Sequence, residues 1–140
     1  MRSVLPMTVP LWCLVVFVVW TIGLVVALSI ARFRHLAAGG VVRDFGVPDD
    51  RRLIWRLFRA HVNALENLPL FAAVVLIATV RGVTGPVLDL LAVVYLAARL
   101  AQSIVHVAPG GGVRGNRRFA FLVIQLACLL GMTALAVAPV

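Results

Sequence analysis

Four long apolar stretches, separated by three polar connections, run the length of the chain. The first, residues 9–31, contains no charge at all. As a helix its 23 residues would cover about 34 Å, more than the roughly 30 Å hydrocarbon core of a bilayer. A secretory leader is the competing reading, because Arg2 precedes the run. The apolar core of such a leader is only about 7–15 residues, so the run predicts a membrane span. Residues 32–53 then carry Arg32, Arg34, Arg43, Arg51 and Arg52 beside Asp44, Asp49 and Asp50. Gly39, Gly40 and Pro48 mark that segment as loop, and Asp49 or Asp50 is expected to cap a helix starting near Arg51.

The second span is harder to see. Only residues 68–80 are strongly apolar, too short to cross alone, so the helix must reach back to about residue 57. It then carries Glu66, Asn63 and Arg59 to membrane depth. A short turn, residues 81–86, leads to a third span, residues 87–107, which includes Asp89, Arg99, Gln102 and His106. Pro109 and three glycines form the next loop, followed by Arg114, Arg117 and Arg118. The fourth span covers residues 119–137. The pattern predicts an all-α, integral membrane four-helix bundle, one domain over residues 1–140.

Composition supports this. The chain is 63% hydrophobic and only 13% charged, with a mean hydropathy of +1.08. So few charges cannot coat a soluble globule, and most of the surface must face lipid. The net charge of +8 comes from 13 basic residues, all arginine, placed mostly between the apolar runs. That placement orients a membrane protein and argues against a nucleic-acid partner. The first connection and its flanks hold seven arginines, the third holds three and the second only Arg81. The first and third connections are therefore expected in the cytoplasm and both termini on the non-cytoplasmic side. In a bacterium the location would be the inner membrane. Cys13 and Cys128 lie inside apolar runs without metal or redox spacing and are expected as packing residues.

Charges at membrane depth cost roughly 2.5–3.5 kcal/mol each on insertion scales and need partners or a task. Arg59, Asn63 and Glu66 are spaced i, i+4, i+7 and share one helix face; Arg99, Gln102 and His106, spaced i, i+3, i+7, share another. Glu66 lies about 21 Å and Arg99 about 18 Å from the outer ends of their helices, so a salt bridge between spans two and three is expected. Arg59, Asn63, Gln102, His106 and Arg117 fall toward the cytoplasmic ends, where they would line a cationic, hydrogen-bonding pocket. His61 points away from that stripe and reads as a packing or interfacial residue. No His, Cys or Glu spacing suggests a metal site, the glycines at 110–112 lack a phosphate-binding signature, and Ser103 has no base to activate it.

The run Arg56-Leu-Phe-Arg59-Ala-His61-Val-Asn63-Ala-Leu-Glu66-Asn67-Leu-Pro69-Leu-Phe71 resembles the helix-two signature of the MAPEG family, the membrane-associated proteins in eicosanoid and glutathione metabolism. The resemblance continues through Tyr95 and Arg99 with Gln102 and His106, and on to Arg117 before span four. It is similar in particular to a bacterial-type, microsomal-glutathione-transferase-like member. It implies a homotrimer that binds glutathione between adjacent subunits near the cytosolic face and joins it to, or uses it to reduce, lipophilic electrophiles.

In the matching positions Arg59, Asn63 and Glu66 would hold the tripeptide, with Gln102 and His106 contributing further contacts and Arg34 meeting its carboxylate end. An arginine at the start of span four, Arg117 or Arg118, would face the sulfur. Arg117 is favoured because Phe121 stands four residues on, the spacing at which the family sets Arg and Tyr. Arg118, the other candidate ligand contact, would then point toward headgroups or solvent. Phe121 in place of Tyr, and no Ser after either arginine, argue against a prostaglandin or leukotriene synthase. The expected function is a glutathione S-transferase or peroxidase with glutathione as co-substrate. The alternative is a non-catalytic lipid-binding scaffold of the same family. A small multidrug exporter is disfavoured because span one has no acid.

Overall fold

The computed structural model describes residues 6–109 and 115–138, and for 115–118 the backbone path alone. Four helices form: α1 (Val9–Ala37), α2 (Leu53–Val80), α3 (Pro86–Val107) and α4 (Gly115–Val137). All four are long and apolar enough to cross a bilayer. The closest packing is of α3 on α4 and of α1 on α2. α2 also touches α3 and α4, and α1 touches α3.

Three helices are longer than the hydropathy pattern implies, α2 and α4 each starting about four residues earlier. α1 continues six residues past position 31, because Arg32, Arg34 and His35 are good enough helix formers and nothing breaks the helix before Gly39. There the chain takes φ of 87°, the Gly39 amide bonds the Leu36 carbonyl, and the Gly40 amide bonds that of His35. This glycine-centred cap satisfies carbonyls the helix end leaves free. α2 ends the same way, with Gly82 at φ 68° bonding Thr79 and the Val83 amide bonding Ala78. At about 43 Å and 42 Å, α1 and α2 exceed the hydrocarbon thickness, so their facing ends project beyond it.

The first connection is a loop, as expected, but one with ordered structure of its own. Residues Val42–Gly46 form a 3-10 turn folded back on α1. Asp44 accepts from the Val41 amide at 3.2 Å and pairs with His35 Nε2 at 2.8 Å. The His35 bond, then the Val41 amide, hold the Asp44 carboxyl below its usual range. The Arg32 guanidinium lies over the rings of Phe45, at 5.3 Å, and Phe58, at 5.8 Å. The expected aspartate cap of α2 is also corrected. Arg52 is the N-cap residue and has no side-chain cap bond; Asp49 instead accepts the Arg51 amide at 2.9 Å, closing the turn before the helix.

Arginines tie the helix ends together. Arg56 donates through Nε to the Val107 carbonyl at the end of α3, at 2.8 Å, and through NH1 to the carbonyls of Asp50 and Arg51. Arg81 donates to the Ala136 carbonyl in the last turn of α4. Both place a cation where a helix C-terminus leaves unpaired acceptors and partial negative charge.

The interior inverts the soluble pattern. Trp12, Val19, Ile22, Val26 and Phe33 of α1 face outward, as do Leu90, Phe119, Leu126 and Leu130. Arg99, Gln102, Ser103, His106 and Gln125 are buried. An apolar core remains in the half away from the first connection, where Phe71 stacks on Tyr95 at 4.4 Å and Phe17 packs against both. Cys13 and Cys128 are free thiols in that core, as expected.

Arg99 is wholly buried, and its NH1 donates to Gln102 Oε1 at 2.9 Å and to Gln125 Oε1 at 3.1 Å. Gln125 Nε2 in turn donates to Gln102 Oε1 at 2.8 Å. The expected Glu66–Arg99 salt bridge is not formed: Glu66 is exposed, and Arg99 turns to glutamines on α3 and α4. Matching depth set the level of the two groups but not the direction each faces around its helix.

Gln125→Leu removes the α4 partner of this guanidinium. A hydrogen bond to a charged group is worth about 1.5–3 kcal/mol, and thermal unfolding in detergent should fall accordingly. An unchanged midpoint would show that the triad does not hold α3 to α4.

Candidate functional site

The stripe read from the sequence lies on α2. At 100° per residue, Phe58, Arg59, Val62, Asn63 and Glu66 occupy one side of the helix. With His106 of α3 they line a cleft of about 240 Å³. Asn63 Nδ2 lies 3.3 Å from His106 Nε2, which joins the two helices at the base of the cleft. One turn on, Asn67 Nδ2 donates to the Asn63 carbonyl at 2.9 Å and lies 3.4 Å from Asn63 Oδ1, so Asn63 is held from both sides. Pro69 follows within the helix and lacks the amide that would bond the Leu65 carbonyl. The cleft therefore presents a cation, an amide and a carboxylate from α2 and an imidazole from α3.

Arg59 is partly occupied: its NH1 lies 3.3 Å from Asp50 Oδ1, in the strap before α2. Glu66 is exposed on the cleft and makes no ion pair among the described residues.

Arg34 is elsewhere. It lines a larger cleft of about 710 Å³ between α1 and α2, with His35 and Arg52 at one end and Ala27, Ile30 and Leu57 along its wall. The α2 residues of that cleft, Leu53, Ile54 and Leu57, point roughly opposite to Arg59, Asn63 and Glu66. Within one chain, then, Arg34 and the Arg59 stripe belong to different surfaces.

Gln102 is in neither cleft. It is buried in the triad with Arg99 and Gln125. Ser103, buried beside it, donates to the Arg99 carbonyl at 3.1 Å, a bond within its own helix. His61 is half-buried, and its Nδ1 is enclosed without a hydrogen bond. Arg117 and Arg118 stand in the first turn of α4, and their side chains lie outside the described residues. The glycine loop at 110–112 also lies outside them.

Three residues that shape the site were given no such role by the sequence reading. Arg56 reads as one more basic flank, yet it carries the connection between the start of α2 and the end of α3. Gln125, alone in an apolar span, was the available sign of a buried polar contact. Asp50 gave no sign of its pairing with Arg59, since nine residues and a turn separate them.

Comparison with curated proteins and with solved structures returns no match. A family model, MAPEG family, matches residues 10–138, which takes in all four helices and both clefts. That family includes membrane glutathione transferases and peroxidases and eicosanoid enzymes. With four apolar helices, a polar stripe on α2 and a match across nearly its whole length, the chain is an integral, multi-pass membrane protein that belongs to the MAPEG family.

Proposed function

We propose that this protein is a glutathione-dependent transferase, with peroxidase activity as a related outcome, acting on lipophilic electrophiles at the cytoplasmic face of the membrane. The observation that carries the reading is the cleft in which Arg59, Asn63, Glu66 and His106 converge. Glutathione has two carboxylates, one ammonium and several amides. A guanidinium suits the first, a carboxylate the second, and Asn and His the third.

Thiol activation is the chemical requirement. A free thiol has a pKa near 8.5, so little is thiolate at neutral pH. Lowering it by two units takes about 2.7 kcal/mol of differential stabilisation. Arginine suits that task because it stays charged when partly desolvated. Arg117 is the proposed group, with Arg118 the neighbouring candidate. The sulfur's electron pair then forms the bond to the electrophilic carbon as the leaving group departs with its own pair.

The two clefts favour assembly. A tripeptide reaching from Arg59 to Arg34 needs the Arg34 of a second copy, because the two surfaces of one chain face apart. A homotrimer with sites between subunits meets that need, with the arginine-rich connections and these clefts in the cytoplasm and the termini opposite. Chemical crosslinking in mild detergent should give trimers as the largest product; a product stopping at dimers would count against the arrangement.

Purified protein should show glutathione-dependent turnover of a chromogenic aryl halide, and no thiol-dependent turnover with any electrophile would leave the lipid-binding scaffold as the better reading. Arg117→Ala should cut turnover at neutral pH by about one to two orders of magnitude, tenfold per 1.4 kcal/mol lost, with partial recovery at higher pH where thiolate forms unaided. Arg118→Ala should leave turnover nearly unchanged. The thiolate's ultraviolet absorbance followed against pH checks both; loss in Arg118→Ala alone moves the role by one residue.

A further inference from the structure

We infer that Asp50 is the built-in counter-ion of Arg59 and that a carboxylate of the ligand must displace it, so that Asp50 tunes which anions the cleft accepts. The inference rests on the glutathione reading and adds a residue to it. Its ground is the contrast between how firmly the Asp50 backbone is held and how loosely its side chain is. The Asp50 carbonyl accepts from Arg56 NH1 at 2.9 Å, and the next carbonyl, of Arg51, accepts from the same nitrogen at 2.8 Å. Arg56 is itself anchored on the Val107 carbonyl at the end of α3, one residue from His106. The strap is thus fixed to the two helices that form the cleft.

Among the described residues the carboxylate has one hydrogen-bond partner, Arg59 NH1, at 3.3 Å. The two side chains are 41% and 46% exposed, which puts this pair in the class of weak, solvent-screened ion pairs. A weak internal pair can be exchanged for a better external one.

Charge around the cleft points the same way. Arg59 is flanked by Asp50 on the strap and by Glu66 two turns along α2. With Asp50 seated on Arg59 NH1, an incoming peptide bearing two carboxylates meets a cation that is already partly engaged. Glu66 can serve an ammonium. The guanidinium offers all its donors to a carboxylate only when Asp50 releases NH1, and a planar Arg fork takes a free carboxylate in a two-bond geometry that the single 3.3 Å contact to Asp50 does not reach. Ligands without a carboxylate gain nothing from the exchange, so Asp50 penalises every ligand that must compete for Arg59 and leaves neutral ones unaffected.

The test is calorimetric titration of the full-length protein in detergent at low salt, wild type against Asp50→Asn, with glutathione and with its diethyl ester. Because the strap is held through backbone carbonyls, the substitution leaves the loop's own bonds in place. Asp50→Asn should bind glutathione about two- to fivefold more tightly, the range expected when an exposed ion pair no longer competes. The gain should shrink at high salt, and the diester should bind both proteins alike. Unchanged or weaker glutathione binding would overturn the inference, weaker binding meaning that Asp50 itself contacts the ligand. An equal gain for the diester would overturn it too, since that would report a loosened loop rather than a freed charge. Binding by wild type with no change in the variant defeats the counter-ion alone, whereas no binding by either protein defeats the glutathione reading and the inference with it.

Discussion

A guanidinium with no exposed surface sits between two membrane helices, and the architecture has to satisfy it. Hydrocarbon offers no water to solvate a charge, so Arg99 must find its partners inside the bundle. Its NH1 finds them in two glutamine side-chain oxygens, one on its own helix and one on α4, and Gln125 Nε2 donates to the Gln102 oxygen in turn, while Nε and NH2 are buried without a hydrogen-bond partner among the described residues. That triad joins α3 to α4 at a defined rotation. A purely apolar seam would not do this, because lipid tails are as apolar as Leu and packing alone fixes register weakly. The rotation of α3 then decides the rest. With Arg99 and Gln102 turned inward, His106 comes to the side where Asn63 of α2 can meet it.

The same logic orders the helix ends. Each long helix leaves carbonyls unpaired at its C-terminus. Glycine-centred caps close α1 and α2, while Arg56 and Arg81 reach across to close α3 and α4. Arg56 does more than cap. It binds the strap before α2 and the end of α3 with one guanidinium, and so sets the position of Asp50 above the cleft. Arginines that look alike in composition thus divide into those that hold the scaffold and those left with capacity for a ligand.

Placement of the polar stripe on α2 follows from that scaffold. A helix that carries Arg59, Asn63 and Glu66 into the membrane needs their face turned from lipid toward other protein or a bound polar molecule. In one chain α3 covers the stripe only at His106, and Glu66 remains exposed. An exposed carboxylate on a membrane helix is a group awaiting either a neighbouring copy or a ligand, which is the physical basis for reading this surface as functional.

Much of this was legible in the sequence because it depends on local periodicity. Span number follows from run length against bilayer thickness, and the extension of α2 back through Glu66 follows from the shortness of its apolar part. The sharing of one face by Arg59, Asn63 and Glu66 follows from 3.6 residues per turn, and all three line one cleft with His106. What the sequence left open was azimuth and long-range pairing. Glu66 and Arg99 share a level, yet which way each faces depends on how α3 rotates against α4, a matter of contacts 23 and 26 residues apart. Arg34, on α1, lines a cleft against the opposite side of α2, and Asp50, not a cap, sits beside Arg59. Helical periodicity determines which residues share a face; only packing between helices decides what that face meets, because the energies that set helix rotation come from partners distant in the chain.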